Sequence, residues 1–465
     1  MIKIIAAKEL RELIRDGRLL WAGGLVVALM LVALASGWER HVQVASERAA
    51  GQALDYEAWL QQGRRHPHDA AEQGMHVFKP EPALAILDPG IEPFVGSTVW
   101  LQAHHQSELK FRPAQDATGL QRFGELSPAW LLQVLFPLLI IILGFNAVSG
   151  ERERGTLRQV LSLGVPARSL MFGKAAALSM CVAILAVPGI LALVLIAAIN
   201  SSAAERLDVI YRMAFLTIGY GFYLGFFIFL TLAASALARS SRISLVVLLG
   251  FWVTANLIAP RTASEAANKL YPTPSRLEFD VHLDHDIETA AGAAWLANFG
   301  VRTQWDPSLP LSKWGAALQV DDHAGYDAQD RNFGSLWDTF ERQQRAQQWI
   351  GSIAPIIALR DLSLGMAGTD FSQHRAFSAA AEAQRRTIQD IVSKDLIEHA
   401  DPLGNAHFSY KAGPELWAQV PRFDYHPPSV SFALARHWPS LAILTILFCF
   451  GLALAGYAFA RPLAK

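Results

Sequence analysis

The sequence predicts an all-α polytopic membrane protein, six transmembrane helices plus a large, mostly helical extracytoplasmic lobe. Three observations predict it. The 465 residues are 52% hydrophobic and only 17% charged, whereas a soluble domain carries roughly a quarter charged residues. Six apolar runs are long enough to cross a bilayer. More than half of the chain lies in just two of the intervening segments, both rich in tryptophan.

Crossing a hydrocarbon core of about 30 Å takes about 20 apolar residues. The runs are Leu19–Gly37, Ala129–Ser149, Ala175–Ile199, Met213–Leu237, Ile243–Ala259 and Trp438–Ala460, and none contains Asp, Glu, Lys or Arg. Trp21, Trp130, Tyr211 and Trp438 stand at or near their ends, as interfacial aromatics do. The first run has a rival reading, because Ala33-Leu34-Ala35 is similar to a signal-peptide cleavage site. Against it, the leader (residues 1–18) carries Glu9, Glu12 and Asp16 and spaces Ile4, Ile5, Leu10, Leu13 and Ile14 as an amphipathic helix. Either way the orientation is the same.

Lys and Arg set that orientation. The leader holds Lys3, Lys8, Arg11, Arg15 and Arg18, and segment 150–174 holds Arg152, Arg154, Arg158, Arg168 and Lys174. The link between the fourth and fifth runs has Arg239 and Arg242, and the tail (461–465) has Arg461 and Lys465. With six spans all four segments share one side, which should be the cytoplasm of a bacterial-type inner membrane, with both termini inside. The other side receives residues 38–128 and 260–437. Trp59, Trp100, Trp295, Trp305, Trp314, Trp337, Trp349 and Trp417 give these segments a real core. Residues 377–400 place Phe377, Ala381, Ile388, Ile391, Val392 and Leu396 on one helical stripe. Leu336–Ile350 reads as a second helix and Ser97–Gln102 as a short strand. Pro80-Glu81-Pro82, Pro272-Thr273-Pro274 and Pro427-Pro428 mark rigid connections.

Several function classes fall away. Formal net charge is -1, which offers nothing to nucleic acid. Cys181 and Cys449 both lie in apolar runs, so no disulfide framework is expected. There is no Gly-x-x-x-x-Gly-Lys-Ser/Thr phosphate loop, no His-Glu-x-x-His and no Gly-x-Ser-x-Gly. The chain is therefore read as no enzyme, with no cofactor of its own. Uncharged spans also give a coupling ion no ligands, so the energy for any transport must come from elsewhere.

The most informative block follows the second run: Asn146-Ala147-Val148-Ser149-Gly150-Glu151-Arg152-Glu153-Arg154-Gly155-Thr156-Leu157. The apolar run stops in dense alternating charge. Gly155-Thr156 reads as a helix break and restart with Thr156 as N-cap. A short helix over Leu157–Leu163 then ends at Gly164-Val165-Pro166. From charge alone this is a solvated loop on the positive side or a docking helix held at the membrane surface.

Glu151, Gly155 and Thr156 resemble the Glu-x-x-x-Gly-Thr motif of type 2 ABC exporter permeases, and Val165, Pro166, Arg168 and Lys174 suit its continuation. The resemblance implies six spans, inside termini and an amphipathic leader helix. It makes the helix between spans 2 and 3 a coupling helix that receives force from separate ABC ATPase subunits, which would hold the ATP and Mg. It implies a second permease copy or paralogue, with spans 2 and 5 near their interface. Glu151, Arg152, Glu153, Arg154, Gly155, Thr156 and Arg158 become the coupling candidates, with the arginines pairing with acidic residues on the ATPase. Asp88-Pro89-Gly90…Gly96 and Ala358–Asp370 are similar to recurring segments of a subgroup with large insertions between spans 1 and 2 and spans 5 and 6. The alternative is a membrane scaffold or receptor whose lobe is a binding module.

Polar residues in the spans are few. Gln133, Asn146, Thr254 and Asn256 are candidates to line a path or to hydrogen-bond between helices. Gly221 and Gly225 permit close packing within the chain. Histidines cluster as His66-Pro67-His68-Asp69, His104-His105, and His282 with His285. Imidazole beside carboxylate can hold a divalent metal. Without a repeating ligand spacing no metal is expected, and His66 and His68 are the residues that would hold one.

Overall fold

The computed structural model describes residues 1–107, 109, 110, 112, 126–200, 205–303 and 306–461; Trp305 and Lys465 lie outside this set. The leader is α1 (Ile2–Arg15), followed by α2 (Arg18–Leu60), the first span. Next come α3 (Pro67–Gln73) and two antiparallel strands, β1 (Met75–Phe78) and β2 (Thr98–Leu101), with Met75 opposite Leu101 and Phe78 opposite Thr98. Span 2 is α4 (Pro128–Glu153), loosened into turns at 145–148. The short α5 (Thr156–Ser162) leads to span 3, α6 (Ala167–Asn200). Spans 4 and 5 are α7 (Arg206–Leu237) and α8 (Ser241–Leu270). Helices α9 (Arg276–Phe299), α10 (Trp314–Ile350), α11 (Pro355–Ala367) and α12 (Phe371–Asp395) precede span 6, α13 (Val430–Ala460). The chain is an all-α polytopic membrane protein, and among the described residues six helices are long and apolar enough to cross a bilayer.

The helices are longer than the apolar runs. The 43 residues of α2 rise about 65 Å at about 1.5 Å each, twice what the bilayer needs. Hydrophobicity ends near Gly37, but residues 38–60 contain no proline and are rich in Ala, Glu, Gln and Arg, which are good helix formers. One unbroken rod therefore carries the first span into the lobe.

Prolines shape two other spans. A proline inside a helix removes its own N–H and frees the carbonyl four residues earlier. Pro137 follows a π-helical turn at Leu131–Leu135, and Pro260 follows another at Thr254–Ile258. The freed carbonyls belong to Gln133 and Asn256.

Two cores form. The membrane core joins residues of all six spans and takes in Ile356, Leu359, Leu362 and Met366 of α11. An apolar stretch of the second outer segment thus packs among the spans' ends. The lobe core gathers Trp59 from α2, Met75, Val77, Val99 and Leu101 from the strands, Trp314 and Leu318 from α10, and Phe377, Ala381, Ile388 and Val392 from α12. Both outer segments build it. Trp59 donates to the Trp417 carbonyl at 3.1 Å, and Trp417 to the Gly63 carbonyl at 2.8 Å. Trp349 is a correction to the expected core: it is exposed at the end of α10. Of the expected stripe, Ile391 is only half buried.

Candidate coupling site

The leader, α5 and the link between spans 4 and 5 meet on one face of the membrane domain, opposite the lobe. Four charges tie the leader there. Lys174, buried at the start of span 3, lies 2.9 Å from Glu9 and 3.1 Å from Glu151. Lys8 lies 3.2 Å from both carboxylates. Burial works against the Lys8 ammonium, but Glu9, Glu151 and Glu12 outweigh it and raise its pKa. Ile5 seats against Gly173, where a Cβ would come within 2.5 Å of the isoleucine side chain. The amphipathic helix is thus clamped to the second and third spans.

Glu151 is therefore a buried pivot and not an exposed docking residue. Two of its neighbours are also taken up inside the chain. The Arg152 guanidinium donates to the carbonyls of Ala236 and Ala238 at 2.7 and 2.6 Å, capping span 4. Glu153 accepts from the Ser241 amide and hydroxyl at 2.8 and 2.9 Å, capping span 5. Ser235 accepts from the amides of Val148 and Ser149, joining spans 2 and 4. The expectation that Arg152 reaches outward to a partner is corrected by this geometry, since its fork is filled by carbonyls left unpaired at the end of span 4.

What remains outward is narrower. Gly155 has φ +75° and is itself the N-cap of α5, so the helix starts at Thr156 and not at Leu157. Thr156 is its first residue, and its hydroxyl donates to the Glu151 carbonyl at 3.2 Å. Leu157 is buried and pins the helix. Arg154, Arg158 and Gln159 are exposed, and Leu163, 82% exposed, tips the helix with an apolar knob. A cation-rimmed apolar tip on a short, pinned helix can fit a groove on a soluble partner.

The four span residues considered as path-lining have different fates. Gln133 is buried and donates to the Tyr220 hydroxyl at 3.0 Å. Its freed carbonyl accepts from Tyr223 at 2.6 Å, and Tyr223 also bonds the Asn256 side chain at 3.1 Å. Gln133 and Asn256 thus face each other across Tyr223, each four residues before its proline. Their role is interhelical bonding among spans 2, 4 and 5. Asn146 accepts from Arg18 at 3.4 Å and lines a polar cavity of about 410 Å³ beneath the leader. Thr254 is exposed on the outer surface of span 5. Gly225 packs within the chain, where a Cβ would come within 2.6 Å of the Phe448 ring of span 6. Gly221 does not; it lines an apolar cavity of about 450 Å³ bounded by spans 3, 4 and 6.

On the lobe face the two segments flagged in the sequence interlock. Ser363 donates to the Asp88 carboxylate at 2.6 Å, and Thr369 to the Asp88 carbonyl at 3.0 Å. Burial raises the Asp88 pKa. Beside them, His437 of span 6 sits between carboxylates, 2.8 Å from Asp361 and 3.0 Å from Asp370. Asp361 also accepts from Gln344, Gln348 and Ser440 at 2.6–2.9 Å. Burial disfavours its charge, yet the bonds from His437 and these neighbours prevail and lower its pKa. Gly365 makes room for the ring, since a Cβ there would lie 2.0 Å from His437 Cδ2. Arg212 donates to the carbonyls of Gly365 and Met366 at 3.2 Å and to that of Pro428 at 2.6 Å.

His66 and His68 part company because Pro67 starts a helix between them. His66 stands at the N-cap position of α3, but its ring turns inward against Trp314, His407 and Phe408, where burial lowers its pKa to about 4. His68 points instead toward His104.

Reading the sequence named Lys174 only in the motif's continuation, and Asp361 and Asp370 only within a flagged segment; it missed Lys8 and Glu9 as partners of Lys174, Tyr220 and Tyr223, and the clustering of the two aspartates with His437. Gln133 and Asn256, each four residues before a proline, were a usable signal for the tyrosine network. Nothing local marks Tyr223 as their partner.

The profile of the family described as ABC-2 family transporter protein matches residues 3–461. No curated protein matches the sequence. The match runs from the leader through all six spans and the lobe, so the chain belongs to the ABC-2 family of transporter proteins.

Proposed function

We propose that this chain is the permease subunit of an ATP-driven exporter, energised by separate ABC ATPase subunits that dock on the leader face. That face is then cytoplasmic, with both termini there, and the lobe lies outside a bacterial-type inner membrane. ATP and Mg belong to the ATPase. The observation that carries the reading is α5. It is short, pinned by Leu157, tipped by Leu163, and linked through Glu151, Arg152 and Glu153 to the leader and to spans 2 to 5. A push on it reaches the ends of those spans directly.

Gly155, Thr156, Arg154 and Arg158 form the contact in this reading, and Glu151, Arg152 and Glu153 transmit it. A second copy or paralogue completes the path against span 5, whose surface presents Val246, Val247, Leu257 and Ile258. The apolar cavity beside Gly221 suits an apolar or amphipathic cargo.

The test is ATP hydrolysis by the chain copurified with its ATPase. Gly155→Pro is incompatible with φ +75°. Together with Arg154→Glu/Arg158→Glu it should cut stimulated hydrolysis at least tenfold while the permease stays folded. Hydrolysis that neither variant changes moves the scaffold or receptor reading to the front.

A further inference from the structure

The lobe carries a cluster of metal-ligating side chains that the transport reading does not use. His68 and Glu72 stand one turn apart on α3 and so share a face. His104 arrives from the turn after β2. Its Nε2 lies 3.5 Å from Glu72 Oε1, and His68 Nε2 lies 3.8 Å from the same oxygen. One ligand atom from each of the three falls within 4.8 Å of the others.

From this geometry we propose that His68, Glu72 and His104 form a divalent transition-metal site, with Asp322 as the carboxylate that orients His104. Three things argue for it. Zinc bound at about 2.0–2.1 Å holds tetrahedral ligands about 3.3–3.5 Å apart, so each imidazole is already within a few tenths of an ångström of its required distance from Glu72, and the two imidazoles, within 4.8 Å of each other, close the rest of the gap. Two imidazoles with one carboxylate suit zinc and its neighbours, not calcium or magnesium, which take mostly oxygen ligands.

Second, the outer partner of His104 is already in place. Its Nδ1 lies 3.0 Å from Asp322 Oδ1, and Asp322 is buried on α10. An ionised carboxylate only accepts, so in the neutral ring the proton sits on Nδ1 and the Nε2 lone pair faces His68 and Glu72. Third, the backbone is held for this purpose. His104 has φ +62°, alone among the described non-glycine residues, and that conformation costs energy and persists only where its surroundings enforce it. Gln329 donates to the His104 carbonyl at 2.8 Å and helps enforce it. Three ligands leave the fourth position open for water or a further donor. A bound ion clips α3 to the turn after β2 and, through Asp322, to α10.

The experiment is zinc titration of the full-length, tag-free chain in detergent, with the ion as the only probe. Wild type should bind one equivalent and melt at a higher temperature for it. His68→Gln and His104→Gln should each weaken binding at least tenfold, and Asp322→Asn about tenfold. His323→Gln, at an exposed histidine on the same helix as Asp322, should change nothing. Glu72 is exposed, so Glu72→Gln tests a ligand with little risk to the fold. X-ray absorption on the zinc-loaded wild type should show two imidazole ligands, independent of any variant. No binding, no imidazole scattering, or an affinity that Glu72→Gln and His68→Gln leave unchanged overturns the site.

Discussion

The two faces of the membrane domain solve the same problem in different ways. Each anchors a helix from outside the bilayer onto the spans through buried charge. On the lobe face, α11 is sealed in. Asp361, Asp370 and His437 are buried, and side-chain amides, backbone amides and a hydroxyl complete the bonds of the two carboxylates. On the leader face, Glu151 and Lys174 are buried, but Lys8 is half exposed and a polar cavity of about 410 Å³ lies beneath the leader. The lobe junction is built as a fixed frame. The leader junction is built to hold together while leaving room to move, beside the short α5 with its exposed tip.

The sharpest test removes the ring at the lobe junction. His437→Ala strands two buried carboxylates and should cost about 3–5 kcal/mol, read as a large loss of melting temperature and of monodisperse protein in detergent. Glu151→Gln removes one of the two carboxylates shared by Lys8 and Lys174 on the other face, leaving Glu9. With water nearby it should cost less, about 2 kcal/mol, and should expose the leader to proteolysis with the spans intact. A cost equal to that of His437→Ala would break the comparison, because both junctions would then be rigid.

Acid should act on the lobe. Burial lowers the pKa of His66 to about 4 and of His374, which also faces Lys79 and Arg112, to about 3. Unfolded, each takes a proton near 6.5. Between these limits the unfolded chain binds more protons, so stability falls as pH drops from 6.5 toward 4. The slope is at most about 1.4 kcal/mol per pH unit for each histidine. Melting curves from pH 7 to 5 should show the fall, and His66→Gln/His374→Gln should flatten it. The smallest effect is expected inside the membrane. Tyr223→Phe frees the Gln133 carbonyl and the Asn256 amide oxygen and should cost about 1 kcal/mol. A cost several times larger would place a functional constraint on the tyrosine network.

The spans were legible because lipid imposes one rule on every residue of a run: no uncompensated charge and no unpaired backbone. The charged block after span 2 was legible as a break in that rule. Who bonds whom within the block was not. Glu151, Arg152 and Glu153 are consecutive and read alike as exposed charge, yet the helix turn sends them to Lys174, to the end of span 4 and to the start of span 5. Thr156 looked like an N-cap by residue type, but the positive φ of Gly155 starts the helix one residue earlier than expected.

The sequence by itself determined the membrane class, the number of spans and a lobe drawn from two segments. Each of these follows from hydrophobicity and charge summed over many residues. Only the tertiary structure decided which polar groups meet. Asp88 bonds Ser363, Asp361 bonds His437, and His68 faces His104. These partners lie tens to hundreds of residues apart, and no local pattern records a distance that only folding closes.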